Sequence, residues 1–103
     1  MVILNITSQV AHNSVEEWLK WMQFSYVPEV LSNSKFTGID ILKLSGQEGA
    51  DPTFAVQHKA ESSAYIQLYL REKPSFYEGW ARQKFQDNVL SFQTELELIS
   101  QHS

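Results

Sequence analysis

The segment VILNITSQVAHNSVEEWLKWM (residues 2–22) contains the change of period that decides the fold. In its first part the residues alternate, with Val2, Leu4, Ile6 and Val10 on one side, as in a half-buried strand. In its second part the apolar residues recur at helical spacing. The segment therefore predicts a strand followed by an amphipathic helix.

The start and the end of that helix carry sequence signals. Ser14 with Glu17 has the form of a capping box, and Asn13 with Glu16 offers an alternative register. Pro28 interrupts the helical pattern. Because proline suits a first helical position and not an interior one, we expect a short second helical piece over residues 28–31.

The middle of the chain predicts a hairpin with a long loop. Residues 36–44 and 53–59 have the composition of strands, and the connector at residues 45–52 is rich in turn formers. On the second of these strands the alternation places Phe54, Val56 and His58 on one face.

A second helical region and a closing strand follow. Ser62 is the predicted cap of a helix, Pro74 restarts the chain, and residues 89–99 alternate as the last strand. The predicted apolar side of the helical region consists of Ala64, Tyr65, Leu68, Tyr69, Phe76, Tyr77, Trp80 and Phe85.

The element order is β-α-β-β-α-β, which is the ferredoxin-like pattern of the α+β class, in a single domain over residues 1–103. Right-handed crossovers place both helical segments on one face of a four-stranded antiparallel sheet. The residues expected under the helices are Leu4, Ile6, Phe54, Val56, Phe92 and Leu96. The set expected on the opposite face is Ile3, Asn5, Thr7, Ala55, Gln57, Gln93 and Glu95, with Ile39 and Ile41.

The opposite face of the sheet has two interpretations. A solvated antiparallel face is common. Alternatively, two sheets pack together in a homodimer that forms an α/β barrel, an inference that rests on fold analogy.

Composition narrows the function classes. The net charge is −4, and the 8 Lys and Arg residues are scattered, which disfavours nucleic-acid binding. The chain has 0 cysteines, which excludes disulfides, thiolate nucleophiles and cysteine-rich zinc sites. The first residues do not have the pattern of a signal peptide, and no apolar run approaches the ~20 residues of a membrane span. We expect a cytoplasmic protein with no membrane or nucleic-acid partner.

The motifs assembled so far resemble one family, the bacterial domain of unknown function 4286. The resemblance covers nearly the whole chain, through residues 4–7, 17–22, 27–30, 36, 54–57 and 92–98. It implies a fold similar to the dimeric α/β-barrel superfamily, which includes cofactor-independent monooxygenases and small-molecule-binding domains, and it leaves the activity open. The family pattern often has a histidine where this chain has Tyr26, and this departure argues against a histidine-based catalytic centre there.

The histidines do not predict a metal site. The chain has 3 histidines, His12, His58 and His102, and none has a second ligand at metal spacing. We therefore predict no metal and no cofactor. The alternation places His58 toward the helices, where it is either a satisfied buried histidine or a general base.

Aromatic and polar side chains supply the candidates for a ligand pocket. The aromatic candidates are Trp18, Trp21, Tyr26 and Tyr65, together with Tyr69 and Trp80. They either line a pocket between the helices and the sheet or fill the core. Asn5, Thr7, Gln57 and Glu95 are interpreted as a polar network under the sheet, serving dimer packing or ligand recognition. The candidate pocket residues are Asn5, Trp18, Trp21, Tyr26, Gln57, His58 and Tyr65.

The leading functional hypothesis is a small homodimeric domain that binds a small apolar or aromatic molecule. The first alternative is a cofactor-independent enzyme of the monooxygenase or isomerase type, with Tyr26, His58 and Asn5 as its polar groups. The second alternative is a structural protein-interaction module. The sequence assigns no catalytic residue.

Overall fold

The computed structural model describes residues 1–46, 49–73 and 76–103, so the predictions for Pro74 and for residues 47–48 of the connector lie outside the described residues. The strands are β1 (Val2–Val10), β2 (Gly38–Lys43), β3 (Thr53–Ala60) and β4 (Val89–Glu97). The α-helices are α1 (Val15–Trp21), α2 (Val27–Ser32), α3 (Ser63–Glu72) and α4 (Phe76–Phe85). A π-helical turn (Met22–Tyr26) joins α1 to α2, and short 3-10 turns (His12–Ser14 and Gln86–Asn88) precede α1 and β4.

The strands form one antiparallel sheet with the order β2-β3-β1-β4. With the helices on one face, this arrangement confirms the predicted ferredoxin-like β-α-β-β-α-β fold of the α+β class. The alternate residues of β1 and β3 that face the helices are buried, as their period predicts.

The first helical region differs from its prediction at both ends. Neither predicted capping box forms. The Ser14 side chain makes no cap bond and instead accepts a 3.1 Å hydrogen bond from Asn88 Nδ2, and Asn13 lies inside the 3-10 turn before the N-cap of α1. Pro28 lies in the first turn of a short second helix, α2, as predicted, but no break separates this helix from α1, because the chain continues through the π-helical turn. A regular α-helix has no room for the proline ring beside the carbonyl four residues earlier, and the wider turn comes immediately before Pro28.

The π-helical turn also keeps the last of three large side chains directed at the core. Residues four apart in a regular α-helix drift by about 40° per step around the axis. Trp18, Met22 and Tyr26 are spaced in this way, yet each is 0% exposed. The larger number of residues per turn in the π-helical segment reduces the drift and keeps Tyr26 in the core.

The predicted faces of the two edge strands are wrong. Phe92 lies opposite Thr7 and Leu96 opposite Ile3, which places both on the face away from the helices. Ile41 lies opposite Val56, so Ile39 and Ile41 face the helices. Strand alternation gives the period and not the face, and a shift of one residue in register exchanges the two faces.

The face of the sheet away from the helices, called the open face below, is consequently more apolar than predicted. Leu90 is 57% exposed, Phe92 64%, Leu96 44% and Leu42 46%. Around them the open face carries Ile3, Asn5, Thr7, Asp40, Ala55, Gln57, Lys59 and Thr94.

The buried side of α3 also differs from the prediction. Ser62 precedes the helix as expected, but Ala64 and Tyr65 are exposed. The residues that face the core are Ile66 and Tyr69.

Candidate functional site: the cleft between α3, α4 and the sheet

A cleft of about 390 Å³ opens where α3 and α4 leave part of the sheet uncovered. The helix-facing side of β4 beyond Ser91 is exposed. The cleft is lined by Leu4 and Ile6 of β1, by Tyr69, Leu70 and Lys73 at the end of α3, by Phe76, Tyr77 and Glu78 of α4, and by Ser91, Phe92 and Gln93 of β4. We call it the α3/α4 cleft.

Three hydroxyl groups are linked at the floor of the α3/α4 cleft. Ser8 Oγ lies 2.7 Å from the Tyr77 hydroxyl and 2.9 Å from Ser91 Oγ. Ser8 is 0% exposed, whereas Tyr77 and Ser91 both line the cleft. Burial raises the pKa of Tyr77 above its usual value, so its phenol stays protonated at neutral pH.

A second hydrogen-bonded chain lies behind Tyr69. His58 Nδ1 donates to the carbonyl oxygen of Leu4 at 3.0 Å, because a carbonyl only accepts. In the neutral ring Nε2 is then an acceptor, and the Tyr26 hydroxyl donates to it at 2.8 Å. The Tyr69 hydroxyl completes the chain, 3.4 Å from that of Tyr26.

Burial fixes the protonation of this chain. It lowers the pKa of His58 to about 4, so the imidazole is neutral near pH 7. It also raises the pKa of Tyr26 well above its usual value and raises that of Tyr69. All members of the chain are therefore uncharged at neutral pH, as the assigned donors and acceptors require.

Two charged side chains, Lys73 and Glu78, line the mouth of the α3/α4 cleft, and they differ in whether an ion-pair partner compensates their charge. Glu78 forms an ion pair with Arg82 at 3.3 Å, which compensates its charge. The Lys73 ammonium lies 5.3 Å from the centre of the Phe76 ring, and within the described ranges no carboxylate lies at ion-pairing distance from it. The cleft thus has a positive mouth on a chain whose net charge is −4.

The aromatic candidates from the sequence lie in the core rather than around an open space. Trp18 packs against Phe54, with ring centres 4.8 Å apart. Trp21 packs against Tyr26 and Trp80 at 5.7 and 5.0 Å. These residues do not line the α3/α4 cleft.

The remaining candidates are separated by the sheet and by α3. Asn5 and Gln57 are neighbours on the open face, where Asn5 Nδ2 donates to Thr7 Oγ1 at 3.0 Å. Glu95 is not part of that network, because it lies on the helix-facing side and accepts from Ser63 Oγ at 2.8 Å. Tyr65 lies on the outer side of α3, beside a separate depression of about 350 Å³. The structure brings Tyr26 and His58 together and leaves Asn5, Gln57 and Tyr65 apart from them.

The hydroxyl cluster of Ser8, Tyr77 and Ser91 was not predicted as a site from the sequence. One signal was present, because Ser8 occupies a helix-facing position of β1 between Ile6 and Val10. A polar residue in such a position needs a buried partner. Ser91 carried no such signal, since its face depends on the register of β4.

The described residues contain neither a metal-binding cluster nor a helix that could span a membrane. Within residues 1–46, 49–73 and 76–103 there is no group of three or more His, Asp or Glu side chains arranged to hold a metal ion. Among the helices of these ranges, none combines the length and the apolar character needed to cross a membrane.

The fold of this chain is shared with a protein of known structure. The crystal structure of a MhuD mutant with two manganese protoporphyrin IX molecules bound per active site is similar to this chain, with a TM-score of 0.67 and 20% sequence identity. The match covers 100% of this chain and 99% of the MhuD chain. At this identity the likeness shows the ferredoxin-like fold alone.

The family follows from the sequence profile. The profile of the domain of unknown function DUF4286 matches residues 1–99, and the chain belongs to this family, as its motifs predicted. No curated protein matches the sequence.

Proposed function

We propose that this domain binds a small planar, largely apolar molecule in the α3/α4 cleft. The observation that carries the proposal is the composition of the cleft walls. Leu4, Ile6, Leu70 and Phe76 offer apolar surface, and Ser91 with Tyr77 offers hydroxyl groups from the buried cluster. A volume of about 390 Å³ with a few convergent polar groups is typical of a small-molecule site.

A metalloporphyrin, as in the MhuD structure, does not fit this cleft. Haem iron needs an axial histidine, cysteine, methionine or tyrosinate ligand. Among the described residues that line the cleft there is no histidine, cysteine or methionine, and both ring nitrogens of His58 are already hydrogen-bonded in the core. Tyr69 and Tyr77 line the cleft, but burial raises the pKa of each phenol and opposes formation of tyrosinate. The proposed ligand is therefore an organic molecule held without a metal.

We also propose that the domain is a homodimer that pairs through its open face. Monomeric proteins rarely leave several large apolar side chains exposed on one continuous sheet face. Leu90, Phe92 and Leu96 form such a surface along β4. The neighbouring charges are compensated within the protomer, because Lys59 Nζ lies 3.0 Å from Asp40 Oδ2. A second copy of the same sheet offers the matching apolar area.

The enzyme alternative has weaker support. Its polar groups were Tyr26, His58 and Asn5, and Asn5 lies on the opposite side of the sheet. Tyr26 and His58 are each 0% exposed and satisfy each other's hydrogen bonds. A substrate in the cleft meets the Tyr69 hydroxyl before either of them.

The ligand proposal is tested by filling the cleft. Leu70 lines the α3/α4 cleft, whereas Leu68 lines the depression on the other side of α3. We expect Leu70→Trp to abolish binding of naphthalene-2-carboxamide in isothermal titration calorimetry and Leu68→Trp to leave it unchanged. Equal binding by the wild type and both folded variants would show that the probe binds elsewhere.

A further inference from the structure

Resting on the proposed function, we infer that the ligand of the α3/α4 cleft is an aromatic or other planar apolar carboxylic acid bound as its monoanion. The inference comes from the polar groups that the protein leaves unmatched at the cleft. These are one hydroxyl proton on the floor and one ammonium group at the mouth.

The spare hydroxyl proton belongs to the cluster of Tyr77, Ser8 and Ser91, which has more donors than hydrogen bonds. Tyr77, Ser8 and Ser91 carry one hydroxyl proton each, and the cluster contains two hydrogen bonds. If Tyr77 donates to Ser8 and Ser8 donates to Ser91, the Ser91 proton is left over. If the direction is reversed, the Tyr77 proton is left over. If Tyr77 and Ser91 both donate to Ser8, the Ser8 proton is left over in the core without an acceptor among the described residues, which is unfavourable. In the other two arrangements the spare donor belongs to a residue that lines the cleft, and it fits an acceptor oxygen on the ligand.

The neighbouring phenol does not compete for that oxygen. The Tyr69 proton is committed to Tyr26, because the Tyr26 proton is itself committed to His58. Tyr69 therefore adds no spare donor to the cleft.

The ammonium group supplies the charge. Lys73 lies at the cleft mouth, half-buried, over the Phe76 ring, whereas Glu78 is paired with Arg82. One cation and one hydroxyl donor suit a carboxylate, whose two oxygens accept from two donors. A phosphate dianion has three oxygens and a higher charge, which these two donors do not match.

The remaining walls suit the body of such an acid. Leu4, Ile6 and Leu70 offer aliphatic contact, and Phe76 offers a ring against which a planar group stacks. The ligand thus has a flat apolar body and one acidic end.

The test compares two probes of the same shape. Naphthalene-2-carboxylate and naphthalene-2-carboxamide differ in charge and share the ring. Calorimetry at pH 7.5 measures both with the wild type, Lys73→Met and Lys84→Met. Lys84 is the matched control, because its ammonium also lies over a ring, 5.8 Å from the centre of Phe85, and it does not line the cleft.

We expect the wild type to bind the carboxylate about tenfold more tightly than the carboxamide, as for one charge-assisted hydrogen bond. We expect Lys73→Met to remove that advantage and Lys84→Met to keep it. Equal binding of the two probes by the wild type would overturn the inference and leave the proposed function standing. An advantage that survives Lys73→Met also overturns it, and binding of neither probe overturns both proposals.

Discussion

The hydroxyl of Tyr26 lies 2.8 Å from Nε2 of His58, and this contact joins the first helical region to the centre of the sheet inside the core. The π-helical turn that ends at Tyr26 aims the phenol at β3, and the Leu4 carbonyl holds the other side of the imidazole. Because both partners are 0% exposed, loss of either leaves a polar group without water to replace it.

The first prediction concerns the Tyr26 hydroxyl. Tyr26→Phe leaves His58 Nε2 buried without a donor, and we expect the free energy of unfolding to fall by about 1–3 kcal/mol. Tyr69→Phe is the matched control, because its hydroxyl makes only a 3.4 Å contact, and it should cost less. Urea denaturation followed by circular dichroism measures both variants, and an equal loss in the two would contradict the assigned chain.

The second prediction concerns pH. Burial lowers the pKa of His58 from 6.5 to about 4, so between these values the unfolded chain binds a proton that the folded protein does not. The stability that comes from the neutral imidazole is therefore fully present above pH 6.5 and is lost as pH falls through about 4, by up to roughly 3 kcal/mol.

The control for the pH effect is His58→Gln, whose amide titrates at no accessible pH. The carboxylates titrate alike in both proteins, so the difference between the two stability curves isolates His58. We expect the variant to be less stable at pH 7 and to lose less stability between pH 6.5 and 4.5. Parallel curves would mean that His58 is not a buried neutral imidazole.

The third prediction concerns the hydroxyl cluster under the α3/α4 cleft. Ser8→Ala removes the central member, which is 0% exposed, and leaves the Tyr77 hydroxyl without its buried partner. We expect a loss of about 1–3 kcal/mol in the free energy of unfolding. Ser91→Ala removes an end member that is partly exposed, and it should cost less than Ser8→Ala. The opposite order in thermal denaturation would argue against a linked cluster.

The fourth prediction concerns the homodimer. Phe92→Lys places two charges in the proposed interface and removes two aromatic side chains, because a two-fold axis repeats every substitution. We expect a loss of about 2 kcal/mol or more per dimer, equivalent to roughly thirtyfold weaker association. Analytical ultracentrifugation measures the dissociation constant.

Phe24→Lys is the control for the dimer prediction. Phe24 is 76% exposed, comparable to Phe92 at 64%, but it lies in the π-helical turn and not on the sheet. The control should sediment like the wild type. A wild-type protein that sediments as a monomer of 11.9 kDa at all concentrations would overturn the dimer proposal.

The sequence predicted the fold well because its two inner strands have clear alternation. In β1 and β3 the helix-facing set is apolar apart from Ser8 and His58, so period and face are both determined. The faces of the edge strands were not predictable in the same way. The apolar set of β4 contains Leu90, Phe92 and Leu96, and reasoning that buries apolar residues under helices assigns it to the wrong side.

The site was less predictable than the fold because its groups meet only in three dimensions. Tyr26 and His58 were both singled out, but their contact depends on the π-helical turn, and Pro28 signals an irregularity there without specifying its form. The cleft itself arises because α3 and α4 leave part of the sheet uncovered, and sequence periodicity carries no information about the gap between packed elements.

The central claim is that a planar ligand occupies the α3/α4 cleft, and intermolecular nuclear Overhauser effects test it most directly. The measurement uses naphthalene-2-carboxylate with protein labelled at its Leu and Ile methyl groups. Occupation of the cleft predicts contacts from the probe to the methyls of Leu4, Ile6 and Leu70, which line it. Contacts confined to Leu90 and Leu96 on the open face, or none at saturating probe, would contradict the claim.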